Sequence, residues 1–290
     1  MMRYATRSDI PGMKTIWAMS FDDELNYVDF FYDKIASPED TVVFETDGVI
    51  AAMLTLIPTK FVYGGHAVKA AYIYGAATHK KYRRHGAMTA LLKFAEEQSL
   101  ARGYSLCILV PGERYLFDYY KRRGYRADFS CRNVMIKHGM LDNSVRPEVA
   151  VETDALTSRQ IYELREQCLR PFPYIRWNEH QLDNILLDAA AYGEHVESYN
   201  GELGSAYLIC GERSRNMYIR ECLGSSDKAQ LALIAGVLEK YDPATVTVQL
   251  PQNSSLMKYE GENRLYGMAK PLVANVRFHD IGAYMNLMLD

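Results

Sequence analysis

No Cys-x-x-Cys pair occurs in this 290-residue chain, and its five cysteines, Cys107, Cys131, Cys168, Cys210 and Cys222, are odd in number and widely scattered. That pattern excludes a disulfide framework and a zinc site, and it fits a reducing, cytoplasmic compartment. The seven histidines form neither an H-x-x-x-H nor an H-E-x-x-H arrangement, so no metal is expected. Long hydrophobic runs are missing too. The longest, near residues 49–57, falls far short of the roughly 20 residues of a bilayer span, and the N-terminus MMRYATRSDI lacks the apolar core of a secretory signal. No membrane partner is expected. Nor is there a basic excess: 33 Lys and Arg against 36 Asp and Glu leave a net charge of -3, which argues against a nucleic-acid partner and against aminoacyl transfer from tRNA.

The composition that remains is that of a globular chain, 48% hydrophobic, 12% aromatic and 24% charged, long enough for one large domain or two of ordinary size. Charge is unevenly spread. Up to residue 140 there are 19 basic against 15 acidic residues and after it 14 against 21, so the halves carry +4 and -7. A basic surface in the first half suits an anionic ligand.

A short strand over 2–6 precedes Ser8 or Asp9 as helix cap, with Pro11 in the first turn. Helical spacing through Ile16, Met19, Tyr27, Phe30 and Phe31 runs to about residue 35, with a break near Asp22-Asp23. Asp47-Gly48 between two β-rich runs, 41–46 and 49–62, is a hairpin signal. A strand over 68–78, a helix over 86–102 closed by Gly103, and the apolar run 106–110 predict a strand–helix–strand unit with parallel strands. A short helix over 114–123 and a strand over 125–136 complete the first half. The second half repeats this order: helices over 158–169 and 181–191, a hairpin through Asn200-Gly201, a strand over 217–222, a helix bearing Leu231, Ile234 and Leu238, and a strand over 245–250. The polar segment 138–152 reads as a linker between domains spanning 1–137 and 153–290.

The chemically informative segment is Tyr82-Arg83-Arg84-His85-Gly86-Ala87-Met88-Thr89. It joins a strand to a long helix, Gly86 permits close backbone approach, and a helix N-terminus offers free N–H groups to an anion such as a pyrophosphate. Lys80, Lys81, Arg83 and Arg84 add positive charge there; Lys121, Arg122, Arg123 and Arg126 add more after the next strand.

The segment resembles the acetyl-CoA motif of the GCN5-related N-acetyltransferases (GNAT), Arg/Gln-x-x-Gly-x-Gly/Ala leading into a helix. Arg83 and Gly86 match it, while Met88 stands where the family usually has Gly or Ala. Tyr119-Tyr120-Lys121-Arg122-Arg123-Gly124-Tyr125 is similar to a second family feature, a Phe-Tyr-x-x-x-Gly-Phe helix end. Two such halves resemble the first two domains of the enhanced-intracellular-survival acetyltransferases, whose third, sterol-carrier-like domain does not fit in 290 residues. In that group a terminal carboxylate from the third domain is associated with the active site, a feature not carried over to this chain.

The resemblance implies an α/β fold of two tandem acyl-CoA N-acyltransferase-like domains, each a mixed, mostly antiparallel sheet flanked by helices, the second degenerate because its helix after Asp227 lacks a preceding Arg-x-x-Gly. It implies acetyl-CoA as cosubstrate and direct transfer of acetyl to a primary amine of a small molecule or peptide. Ala76, Ala77 and Thr78 fall where the family's splayed strand bonds the pantetheine, with one N–H near Ala77 polarising the thioester. Arg83, Arg84, His85, Gly86, Ala87, Met88 and Thr89 fall at the pyrophosphate, and Tyr120 aligns with the tyrosine near the thioester sulfur. Its proton would pass from a phenol of pKa about 10 to a thiolate of about 8.5, uphill by roughly 2 kcal/mol in water, so Tyr120 is an assistant. Freeing a lysine-like amine costs close to 5 kcal/mol at pH 7, which calls for a base. Where some relatives place a glutamate this chain has Tyr74; Asp22, Asp23, Glu24, Glu45 and Glu113 are candidates. Phe21, Tyr27, Phe30, Phe31 and Tyr32 line the acceptor cleft or form core. The -7 charge of the second half favours a cationic acceptor. The alternative is a non-catalytic acyl-CoA-binding regulatory module.

Overall fold

The computed structural model describes residues 1–21, 25–137, 139–141, 156–258, 260–274, 276 and 282–289. Asp22, Asp23 and Glu24, and most of the linker assigned to 138–152, lie outside them.

Strand β1 (Met2–Tyr4) leads into α1 (Ile10–Ala18), with Pro11 in its first turn, and α2 (Leu25–Phe30) runs into one wide π-type turn over Phe31–Ile35. Strands β2 (Thr41–Thr46) and β3 (Val49–Tyr63) form the expected hairpin: Asp47 and Gly48 both have positive φ, 52° and 70°, which matches the right-handed twist of the flanking strands. Next come β4 (His66–Thr78), α3 (Ala87–Ala101), β5 (Leu106–Leu109), α4 (Arg114–Lys121) and β6 (Arg126–Ile136). The second half supplies α5 (Ser158–Leu169), β7 (Tyr174–Arg176), α6 (Glu179–Ala191), β8 (His195–Gly201), β9 (Gly204–Arg213), β10 (Asn216–Gly224), α7 (Asp227–Tyr241), β11 (Thr245–Pro251) and β12 (Glu262–Pro271).

The strands make one continuous sheet in the order β1-β2-β3-β4-β5-β12-β6-β11-β10-β9-β8, with β7 paired to β3 off this path. The two halves thus share one sheet and are not clearly separate domains. Each half has lost its last strand to the other: β12 pairs with β5 of the first half, β6 pairs with β11 of the second, and β6 and β12 pair with each other. Splitting the halves would break all three ladders. Strand β12 was not foreseen, because its first four residues are exposed and polar or isolated apolar; its pairing partners, not its own propensity, make it a strand.

Within each half the helix between two parallel strands covers one face. Leu91, Leu92 and Ala95 of α3 pack on Leu54, Ile73 and Cys107, and Ile234, Val237 and Leu238 of α7 pack on Leu208, Cys210 and Val248. Burial pushes the Cys107 thiol up to about 12, so it is inert core. A third core joins the halves through Trp17, Phe31, Tyr72, Trp177, Tyr207 and the near-terminal residues Ala283, Tyr284 and Met285.

That near-terminal segment fills an opening in the second half. Strands β10 and β11 pair in parallel only as far as Ile219↔Val248, and β10 then bulges at Arg220. Asn286 donates its side-chain amide to the Arg220 carbonyl, and the Arg220 guanidinium donates to the carbonyl of Met288. The gap between the diverging strands is thus occupied by the chain's own backbone and side chains.

Candidate functional site

The corresponding gap in the first half is open. Strands β4 and β5 pair in parallel over Ala70↔Leu106, Ala71↔Cys107 and Tyr72↔Ile108 only. Beyond this, β4 continues to Thr78 bonded to β3, while β5 ends at Leu109 and Pro111-Gly112 turns the chain away. A bulge helps the strands part: Gly75 and Ala76 together face Leu54, between the pairs Tyr74↔Thr55 and Ala77↔Met53. Among the described residues the β4–β5 ladder does not extend along 73–78, and this stretch of β4 borders a cleft.

Gly75 is required at this bulge. Its φ is +59°, and a Cβ there would stand 3.0 Å from Trp17 Cζ3. Replacing it by alanine costs the left-handed penalty of roughly 1–2 kcal/mol and also presses on a buried indole. Urea unfolding of Gly75→Ala is expected to show at least that loss; an unchanged midpoint would mean the bulge is not shaped as described.

The second wall of the cleft is the start of α3. Gly86, at φ +81°, is its N-cap and brings no side-chain acceptor of its own, so the first-turn N–H groups and the positive end of the helix dipole face outward. Arg83 is pinned across the mouth, donating from Nε to Thr78 O at 3.0 Å and from Nη2 to Ser20 Oγ at 3.3 Å. Arg123, from the end of α4, stacks 3.4 Å from the Tyr119 ring centroid and donates from Nε to Thr89 Oγ1 at 3.2 Å.

These elements enclose a cleft of about 1390 Å³. Ala76, Ala77, Thr78, Arg83, Arg84, Gly86, Ala87, Met88, Thr89 and Tyr120 all line it. His85 is exposed and is not part of the wall. Of the two basic clusters only Arg83, Arg84 and Arg123 reach it. Among the base candidates Glu113 lines the cleft, whereas Glu45 is held by Arg3 at 2.7 Å and lies outside the wall. Of the aromatic stripe, Phe21 and Tyr27 line the cleft; Phe31 is fully buried, Phe30 packs on the core, and the Tyr32 hydroxyl meets Thr41 at 3.3 Å. Tyr74 shares a hydroxyl–hydroxyl bond of 3.1 Å with Tyr27.

Tyr120 is 7% exposed and stands edge-on to Tyr119 and Tyr125. Burial, and then the neighbouring Tyr119, hold its proton loss well above the ordinary phenol range, so at neutral pH it is a hydrogen-bond donor.

The second half also contributes walls that sequence reasoning missed: Asp188 and Tyr192 from α6 and its end, Leu265 and Tyr266 from β12, and Leu289. The Leu289 carbonyl accepts from the Tyr72 hydroxyl at 2.9 Å. One signal was present for Asp188, which falls on the buried stripe of Leu182, Ile185 and Ala189 where a carboxylate is out of place. Among the described residues no group of three His, Cys, Asp or Glu side chains is placed to hold a metal.

Several solved structures share the fold. The chain aligns over 94% of its length with a GCN5-related N-acetyltransferase from Anabaena variabilis at 18% identity and a TM-score of 0.71, covering 73% of that chain. A probable N-acyltransferase from Enterococcus faecalis gives 14% identity and a TM-score of 0.75, with 94% and 72% of the two chains covered. Eis1 from Mycobacterium abscessus gives 14% identity and 0.69, with 94% and 74% covered. No curated protein matches the chain. Residues 1–127 match the family model described as Acetyltransferase (GNAT) domain, which spans β1 to the start of β6 and holds both the splayed strand and the α3 N-terminus. Over these residues, less than half of the chain, the protein is similar to the GNAT acetyltransferase domain.

Proposed function

We propose that this protein is an acetyl-CoA-dependent N-acetyltransferase that passes acetyl directly to a primary amine. The observation that carries this reading is the meeting, in one cleft, of the stretch of β4 beyond its ladder with β5 and a glycine-capped helix N-terminus flanked by Arg83, Arg84 and Arg123. A strand edge suits the amides of a pantetheine arm, which can extend the ladder, and the helix start suits a pyrophosphate. Backbone of Ala76, Ala77 and Thr78 would hold the arm; Arg83, Arg84, Gly86, Ala87, Met88 and Thr89, with the nearby His85, would hold the phosphates.

Acetyl-CoA supplies an activated acyl group, so the protein's task is orientation and proton handling. The backbone N–H near Ala77 would donate to the carbonyl oxygen as negative charge builds on it. The amine, once it has lost a proton to solvent, bonds the carbonyl carbon through its nitrogen; as the C–S bond breaks, the sulfur leaves as thiolate and the nitrogen gives its second excess proton to solvent. Tyr120, kept protonated by burial, would donate to that sulfur. Cys107 is buried in β5 and gives no nucleophile for a covalent relay. The second half, with its borrowed strand and filled gap, would serve as the acceptor-side wall of a tandem, enhanced-intracellular-survival-like architecture.

The test is acetyl-CoA calorimetry together with thiol release against a panel of primary amines. Binding with amine-dependent release is expected; binding without release across the panel would favour a regulatory acyl-CoA module, and no binding would overturn both. Tyr120→Phe should bind acetyl-CoA as the wild type does and turn over roughly a hundredfold to ten-thousandfold more slowly, in the range of one removed general acid. A turnover rate equal to wild type would remove Tyr120 from the proton path.

A further inference from the structure

The two ends of the cleft are chemically opposite. Its cations, Arg83, Arg84 and Arg123, all belong to the α3 end. Among the described residues its carboxylates are Glu113, exposed before α4, and Asp188, which is 3% exposed and enters from α6 on the far side. Around Asp188 the surfaces are aromatic. Tyr192 follows one helical turn later and meets the Tyr27 ring edge-on at 5.5 Å, and Tyr27 in turn bonds Tyr74 and stacks near Trp17. Burial, then Tyr74, then the Asp188 charge push proton loss from Tyr27 far upward, which places Asp188 and the Tyr27 hydroxyl in one neighbourhood.

The position of Asp188 is firmly set. Helix α6 is tied to the first half one turn earlier, where Asn184 donates to the carbonyl of Lys34, and at its start, where Gln181 donates to Pro58 O at 2.5 Å. A carboxylate held in a half-closed aromatic pocket is costly to keep charged there, and a ligand cation offsets that cost more effectively than it would in water. Aromatic faces add attraction for the same cation and a flat surface for an apolar body.

We infer that Asp188 is the specificity-determining anchor for the acceptor, and that the acceptor is a primary ammonium ion carried on a compact apolar body, with the ammonium at Asp188 and the body against Phe21, Tyr27, Tyr74 and Tyr192. The inference rests on the transferase reading for the word acceptor; the binding site itself does not depend on it. Asp188 acts by charge, Tyr192 by area.

The experiment is direct calorimetry of 2-phenylethylamine and its neutral counterpart 2-phenylethanol on wild type, Asp188→Asn and Tyr192→Leu, each saturated with coenzyme A. Wild type is expected to bind the amine at least tenfold more tightly than the alcohol. Asp188→Asn should erase that difference while leaving the affinity for the alcohol and for coenzyme A unchanged, and Tyr192→Leu should weaken both probes together. If Asp188→Asn fails to fold, Asp188→Glu keeps the charge and should keep the preference for the amine. Equal affinity of wild type for the two probes, or an unaltered preference in Asp188→Asn, overturns the inference. Amine binding without thiol release would leave Asp188 in place and strike only the transferase reading. Thiol release with a KM for 2-phenylethylamine unmoved in Asp188→Asn would do the reverse.

Discussion

Gly86→Asp is expected to abolish measurable acetyl-CoA binding, with a loss exceeding a hundredfold, while the protein stays folded. Two effects act together. The substitution sets a carboxylate at the N-cap of α3, where it satisfies the first-turn N–H groups that an anionic ligand would otherwise use. It also brings like charges together: at about 4 Å and an effective dielectric of about 20, the repulsion is roughly 4 kcal/mol, far beyond the 1.4 kcal/mol of a tenfold change. Space is not the obstacle, since nothing lies within 4 Å of a Cβ at Gly86; the left-handed φ of +81° adds a modest backbone cost that aspartate tolerates better than most residues. Gly86→Asn separates the terms, because it carries the same shape without the charge and should retain part of the affinity. Calorimetry on both variants decides the matter. Normal binding by Gly86→Asp would move the phosphate seat away from α3.

The candidate site's residues stand out in the sequence because their determinants are local. A strand, a glycine at a helix start and arginines beside it occupy residues 70–89 without interruption, and the backbone conformations they demand are written in the residue types. The Asp47-Gly48 turn and the helix over Ser158–Leu169 were legible for the same reason. What was not legible depends on partners distant in sequence. The exchange of β6 and β12 between the halves leaves no local trace, since a strand reads alike whichever ladder receives it. The far wall of the cleft comes from residues more than one hundred positions beyond Tyr74, and periodicity along α6 marks Asp188 as odd without saying what it faces. Tyr120 lies between these cases: helical spacing alone fits a core tyrosine, and it is indeed buried, yet it also forms part of the cleft wall.

The same reasoning makes the second half's filled gap a point of vulnerability. Glu221 is fully buried on β10, next to the bulge at Arg220, and accepts from Arg165 Nε at 3.0 Å, from the Tyr207 hydroxyl at 2.6 Å and from the Tyr284 hydroxyl at 3.0 Å. Burial alone would lower the Arg165 guanidinium, but the Glu221 charge and bonds outweigh it and its proton affinity rises. One carboxylate thus ties α5, β9, β10 and the near-terminal segment together, and Leu289 of that segment lines the cleft and accepts from the Tyr72 hydroxyl. Removing it in Glu221→Ala strands a buried cation and two hydroxyls, so a destabilisation of about 3–5 kcal/mol is expected in urea unfolding. The pair itself need not be worth that much, because desolvating both charges offsets most of their attraction. Arg165→Met combined with Glu221→Leu should therefore recover most of the loss, and the double-mutant cycle should return a coupling of several kcal/mol. Loss below about 1 kcal/mol in Glu221→Ala would show that the near-terminal segment is not held by this carboxylate. If the double variant stays as unstable as the single one, the hydroxyls of Tyr207 and Tyr284, not the unpaired arginine, account for the cost, and Tyr284→Phe in that background separates them by restoring stability.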